Sequence, residues 1–137
     1  MVKQNKHSTG LTKDVGFQVG ARRTFPIDYK DAWRLLTSKK GINIWLGNTS
    51  NLIKGKQYNL SDGSKGEVRV YSPNSHLRIA WQPPGWQKAS TIQLQVIPKG
   101  DKTVIAFHQE LLPGAKEREE RRKFFSSVLD QLEQIIK

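Results

Sequence analysis

The chain is 137 residues long, carries a formal net charge of +11 and contains no cysteine. That length suits one domain with a core large enough to stand alone, and the missing thiol excludes a disulfide framework, a thiolate metal site and a cysteine nucleophile. No apolar run approaches the roughly 20 residues needed to span a bilayer, and the polar start from Met1 to Thr12 lacks the apolar core of a signal peptide, so a cytoplasmic protein with no membrane insertion is expected.

Residues 1–14 show no apolar periodicity and read as a flexible tail ahead of a single domain over 15–137. From Val15 the pattern becomes alternation, with Val15, Phe17, Val19 and Ala21 on one face, which predicts a strand to about Phe25. Pro26 ends it, and Asp28 is placed to cap a short helix over about 28–37 whose apolar side carries Ala32, Trp33, Leu35 and Leu36. Thr37 or Ser38 can cap a second short helix, in which Ile42, Trp45 and Leu46 share a face before Gly47 stops it.

Strand and turn signals then follow: Gln57–Leu60, a turn at Ser61–Ser64, Gly66–Tyr71, a turn at Ser72–Ser75, and Leu77–Gln82. After the loop Pro83-Pro84-Gly85-Trp86, the runs Thr91–Ile97 and Thr103–Leu111 predict a further hairpin. Pro113 and Gly114 break the pattern, and from Ala115 to Lys137 the residues Phe125, Val128, Leu129, Leu132, Ile135 and Ile136 recur at three- and four-residue steps, one stripe of a long helix. The opening turns of that helix, Lys116 to Arg121, are wholly charged and read as solvent-facing. The expected fold is α+β: a curved antiparallel β-sheet wrapped around a long C-terminal α-helix, with two short helices after the first strand.

In order and spacing the chain resembles the helix-grip, START-like superfamily (SRPBCC), and within it the family named for the C-terminal domain of the activator of the heat-shock protein 90 ATPase. The carriers are Arg23-Thr24-Phe25-Pro26, Ala32-Trp33, Leu36-Thr37, Ile44-Trp45-Leu46-Gly47, Gly66-Glu67-Val68, Trp81 with Trp86, Ser90-Thr91, His108 to Leu112, and Val128-Leu129 with Leu132. The resemblance implies a cavity between the long helix and the inner face of the sheet, used by relatives to hold hydrophobic or aromatic small molecules. It also implies a stress-related or chaperone-linked role. Where many relatives carry a tryptophan early in the last helix, this chain has Phe124-Phe125.

No catalytic machinery is legible. The histidines His7, His76 and His108 are isolated, so no metal site is expected, and neither a nucleophile elbow nor a phosphate-cradling or dinucleotide-binding loop is present, so no cofactor is expected. The candidate ligand-binding residues are Phe17, Trp33, Trp45, Tyr58, Trp81, Trp86, His108, Phe125 and Leu129, with Trp81 and Trp86 foremost because they flank a Pro-Pro-Gly loop where the mouth of a cavity would explain an exposed ring. His108 reads either as a ligand contact or as a structural histidine.

The leading expectation is therefore a non-enzymatic binder of a hydrophobic or aromatic small molecule, lipid-like or polyketide-like. One alternative is a protein-interaction, co-chaperone-like module that docks on an acidic partner through Arg22, Arg23, Lys30, Arg34, Lys39 and Lys40. A second is a weak enzyme of the cyclase or hydrolase type using His108, Glu110 or Tyr58. Nucleic acid is not an expected partner, because the basic residues lack exposed aromatics interleaved at sheet spacing.

Overall fold

The computed structural model describes residues 11–12, 16–49 and 51–137. The chain runs β1 (Leu11–Thr12), β2 (Gly16–Phe25), α1 (Tyr29–Thr37), α2 (Lys39–Trp45), β3 (Gln57–Asn59), β4 (Lys65–Ser72), β5 (His76–Gln82), β6 (Ser90–Lys99), β7 (Lys102–Leu112) and α3 (Ala115–Ile136). The strands form one antiparallel sheet in the order β1-β2-β7-β6-β5-β4-β3. This is the expected α+β helix-grip arrangement. The expected tail is corrected at Leu11 and Thr12, which pair with Phe17 and Gly16 as a short edge strand, while the rest of that tail lies outside the described residues.

Local chemistry sets the element ends. The Asp28 carboxylate accepts from the Lys30 N–H at 3.0 Å and starts α1. Ser38 serves two helices at once: its hydroxyl donates to the Leu35 carbonyl at the end of α1 and accepts from the Gly41 N–H at the start of α2. The corner between these helices is tight, since a Cβ added at Gly41 would lie 1.9 Å from the Leu35 carbonyl oxygen. Trp45 closes it by donating from its indole Nε1 to the Leu36 carbonyl at 2.8 Å.

Two irregularities bend the sheet. The register of β2 on β7 shifts between Phe17 and Val19, and that of β4 on β5 between Val68 and Val70. Such bulges add local twist and curl the strands. The concave face receives α3, which lies on β2 and β7 and touches α2. Phe125, Val128, Leu129 and Leu132 are its buried stripe, and Phe125 stacks on Phe107 of β7 with ring centroids 5.1 Å apart and planes 18° from parallel. Phe107 in turn meets Trp45 at 6.1 Å. The expected stripe is corrected at Ile135, which is 38% exposed, whereas Ile136 beside it stays half-buried against the core.

Phe125→Ala should cost about 3–5 kcal/mol, the range for removing a fully buried aromatic ring from a packed core. Urea denaturation, comparing midpoints at constant slope, measures it.

Candidate functional site

Strand register assembles a row of side chains at one end of the concave face. Tyr58 pairs with Gly66, Gly66 with Trp81, and Trp81 with Ser90, so four strands contribute adjacent positions. Gly66 is required there. A Cβ at that position would meet the Ala80 carbonyl oxygen at 1.8 Å and the Tyr58 hydroxyl at 2.6 Å, so the phenol can cross over the strand and donate to the Ala80 carbonyl at 2.6 Å only above a glycine. Burial holds the Tyr58 hydroxyl well above the ordinary tyrosine range, against the pull of the nearby Arg121 charge.

Arg121 of α3 comes down onto this row. Its guanidinium carbon lies 4.2 Å from the centroid of the Trp81 ring, 4.1 Å from that of Phe124 and 4.9 Å from that of Phe125. Its Nε donates to Gln109 Oε1 at 2.8 Å, Gln109 Nε2 donates to Ser90 Oγ at 2.8 Å, and Ser90 Oγ donates to the Trp81 carbonyl at 3.1 Å. Gln109 and Ser90 are fully buried. This chain of bonds ties α3, β7, β6 and β5 together and fixes the direction of the guanidinium.

None of the ion pairs among the described residues includes Arg121. Burial lowers its pKa to about 10, with the nearby Tyr58 acting in the opposite sense, so the group is cationic at neutral pH and lacks a carboxylate partner. Another polar group in the cluster is incomplete: the Trp81 indole Nε1 is buried and makes no hydrogen bond among the described residues.

Next to this cluster opens a cleft of about 530 Å³, lined by the β5–β6 loop from Gly85 to Ala89, by Leu111, Leu112 and Pro113 at the end of β7, by Gly16, and by Glu117 of α3. Trp86 connects the two regions, since it lines the cleft and packs edge-on against Trp81 at 5.4 Å. Leu111 is held with φ at 63° and remains 46% exposed on the cleft wall, a left-handed backbone that an ordinary side chain adopts only at some cost.

The nine sequence candidates separate into three groups. Tyr58, Trp81 and Trp86 lie at this end of the sheet, but only Trp86 lines the cleft: the ring expected to be exposed at Trp81 is buried against it, Tyr58 is buried too, and half-buried Phe17 lies on β2 one residue from Gly16 of the cleft. Trp45, Phe125 and Leu129 are core, and Trp33 is buried under α1 with its ring edge-on to Tyr71 at 5.7 Å. Between α3 and the sheet, the stacked rings of Phe107 and Phe125 occupy the space where the resemblance implied a cavity, and the open volume lies at the rim.

His108 requires correction. The alternation of β7 turns Ile105, Phe107 and Gln109 toward α3, so His108 points to the opposite face, where its Nε2 lies 2.9 Å from Gln18 Oε1 and its Nδ1 3.9 Å from Glu110. The candidate catalytic groups are thereby separated, Tyr58 inside and His108 with Glu110 outside. Sequence reasoning did not find Arg121, Gln109 or Ser90 as a unit. The available signal was phase: Arg121 stands four residues before Phe125 and seven before Val128, on the apolar stripe itself.

Residues 28–137 match the model of the family described as activator of Hsp90 ATPase homolog 1-like protein. The chain belongs to this family. No curated protein matches it. Among solved structures, this family member is similar to CalU16 from Micromonospora echinospora, with a TM-score of 0.77 and 21% identity over 87% of this chain and 75% of that one. It is similar to the Aha1 dimer from Colwellia psychrerythraea (TM-score 0.73, 14% identity, 87% and 95% covered) and to an HSP90 activator from Plasmodium falciparum (0.60, 15%, 72% and 75%). At these identities the likeness is one of fold. No helix among the described residues is long and apolar enough to cross a membrane.

Two substitutions in the polar chain should differ in effect. Arg121→Met removes a desolvated cation and puts an apolar side chain among three aromatic neighbours, but it leaves the buried Gln109 Oε1 without its donor; the two effects oppose each other, and the net cost should be no more than about 1–2 kcal/mol. Gln109→Leu leaves Arg121 without its acceptor and Ser90 without its donor, and should cost about 1–3 kcal/mol more. Urea melts of the two variants test this order.

Proposed function

We propose that this member of the family binds a hydrophobic or aromatic small molecule, without catalysing its conversion, at the rim cleft between the β5–β6 loop and the start of α3. The observation that carries the reading is the cleft itself: about 530 Å³, walled by Trp86, Leu111, Leu112 and Pro113. That volume falls within the usual range for small-molecule pockets, and a mostly apolar wall with a few polar groups behind it is their usual make-up. The strained, exposed Leu111 backbone supports the same reading, since strain of this kind gathers at binding sites.

The neutral fluorescent probe N-phenyl-1-naphthylamine offers a direct test. It should bind saturably to the wild type, and Trp86→Ala should weaken that binding by tenfold or more, as expected when a large aromatic anchor is removed. Unchanged binding in the variant would refute the site.

A second reading, docking on an acidic protein partner, draws support from the similarity to the Aha1 dimer and the HSP90 activator. Its basic surface is reduced in the folded chain. Arg23 is held by Asp130 at 3.0 Å and Glu133 at 2.9 Å, and Arg34 by Asp31 at 2.8 Å, which leaves Arg22, Lys30, Lys39 and Lys40 for such a partner.

A further inference from the structure

Arg121 is a cation that the fold has oriented and left without a counter-ion among the described residues. Its Nε is committed to Gln109, whereas its Nη groups donate to no other described side chain or backbone carbonyl. The three rings around it stabilise the positive charge only in part, and a guanidinium removed from bulk water gains most from an oxygen anion that takes two of its N–H groups together. The residue as a whole keeps part of its surface exposed, although burial among the three rings dominates the surroundings of its charge. Beside it the Trp81 Nε1–H is a donor with no acceptor in a residue only 8% exposed. A helical cation and a sheet indole are thus both left incomplete in one cluster.

The position of this pair relative to the cleft is set by two independent links. Glu117, on the cleft wall, stands four residues before Arg121, one helical turn away on the same face of α3. Trp86, on the opposite wall, touches Trp81, whose ring also carries the guanidinium. The charges at the rim offset one another: Lys88 and Glu117 both line it, and Glu117 turns back toward its own helix start, where a Cβ at Gly114 would find Glu117 Oε1 at 3.2 Å. A solute entering the cleft therefore meets a neutral rim and the Trp86 wall; Arg121 and Trp81 do not line the cleft themselves but adjoin it, Trp81 against the Trp86 ring and Arg121 against the Trp81 ring.

We infer that an anion subsite adjoins the cleft, in which Arg121 and the Trp81 indole N–H bind the acid group of a planar aromatic carboxylate whose ring packs against Trp86. This rests on the small-molecule reading above and narrows it from apolar compounds in general to aromatic acids. Gln109 and Ser90 are positioning residues: they hold the guanidinium for the carboxylate and do not touch the ligand.

Two isosteric probes separate the subsite from the cleft, 2-naphthoate and its neutral amide, 2-naphthamide, titrated at neutral pH by calorimetry and by the tryptophan indole signals of amide NMR spectra. Naphthoate should bind about tenfold to a hundredfold more tightly than naphthamide, the contribution of charge-assisted hydrogen bonds to a buried cation. Arg121→Met should abolish that preference, weakening naphthoate far more than naphthamide, whose carbonyl is the weaker acceptor. Equal affinities, or a preference that survives Arg121→Met, would overturn the anion subsite and leave the cleft standing. Binding of neither probe would overturn both. A thermal melt checks that Arg121→Met folds. If it does not, Trp81→Phe, which keeps a ring and removes the Nε1 donor, should weaken naphthoate severalfold and naphthamide less, and equal weakening of the two would count against the inference.

Discussion

The stacking of Phe125 on Phe107 is the contact on which the domain closes. An antiparallel sheet with one apolar face must cover that face, and this one curls, through bulges in β2 and β4, into a trough that a single helix can fill. Because α3 follows directly from β7 and lies back across β7 and β2, the helix covers the strands that join the start of the sheet to its end. The pairing of β2 with β7 links residues far apart in sequence. Val19, Phe25, Ile105 and Phe107 of these two strands are all buried, and the Phe107 ring is the one on which α3 stacks its Phe125.

Within one helical turn the seam between helix and sheet changes character. At Phe125 it is dry and purely apolar, and at Arg121 it becomes a desolvated cation held by three rings and a chain of neutral amide, hydroxyl and carbonyl groups. A sequence selected for stability alone would continue the apolar stripe, because methionine or leucine at position 121 would bury the same contacts without desolvating a charge. Departures from local consistency of this kind are expected where a protein binds something. The polar chain beneath Arg121 is otherwise satisfied, and the exception in this cluster is the indole of Trp81, the ring against which the guanidinium lies.

Much of this architecture was legible because each element carries its own boundary chemistry. Asp28 and Ser38 announced the helix starts, Pro26 and Pro113 the breaks, and alternation the strands, so the expected and observed elements agree to within about two residues at most ends. Leu11–Thr12 left no sequence signal, since a two-residue edge strand rests on backbone pairing alone. The site was harder to read because charge masks phase. Arg121 sits in a run of eight charged residues, Lys116 to Lys123, that suggests solvent all round the helix, and only its spacing from Phe125 and Val128 separates it from Arg122, which pairs with Glu119 at the surface. The misplacement of His108 has a similar cause. Phe107 and His108 are neighbours in one strand and cannot share a face, so the choice of Phe107 for the core already turned His108 outward.

The two ends of the trough divide the work between them. At the end covered by Val128, Leu129 and Leu132 the packing is conventional, with each of these side chains fully or almost fully buried. At the other end three local costs coincide: a left-handed leucine backbone at position 111, that same side chain exposed on the cleft wall, and an unpaired guanidinium. Leu111 shows why they coincide. Leu112 must turn inward to the core while the chain bends through Pro113 and Gly114 into α3, and the positive φ at Leu111 accomplishes that reversal by turning its side chain out over the cleft. The strain that starts the helix in the right direction therefore also builds the apolar wall opposite Trp86, and the surplus stability of the far end allows the fold to carry both.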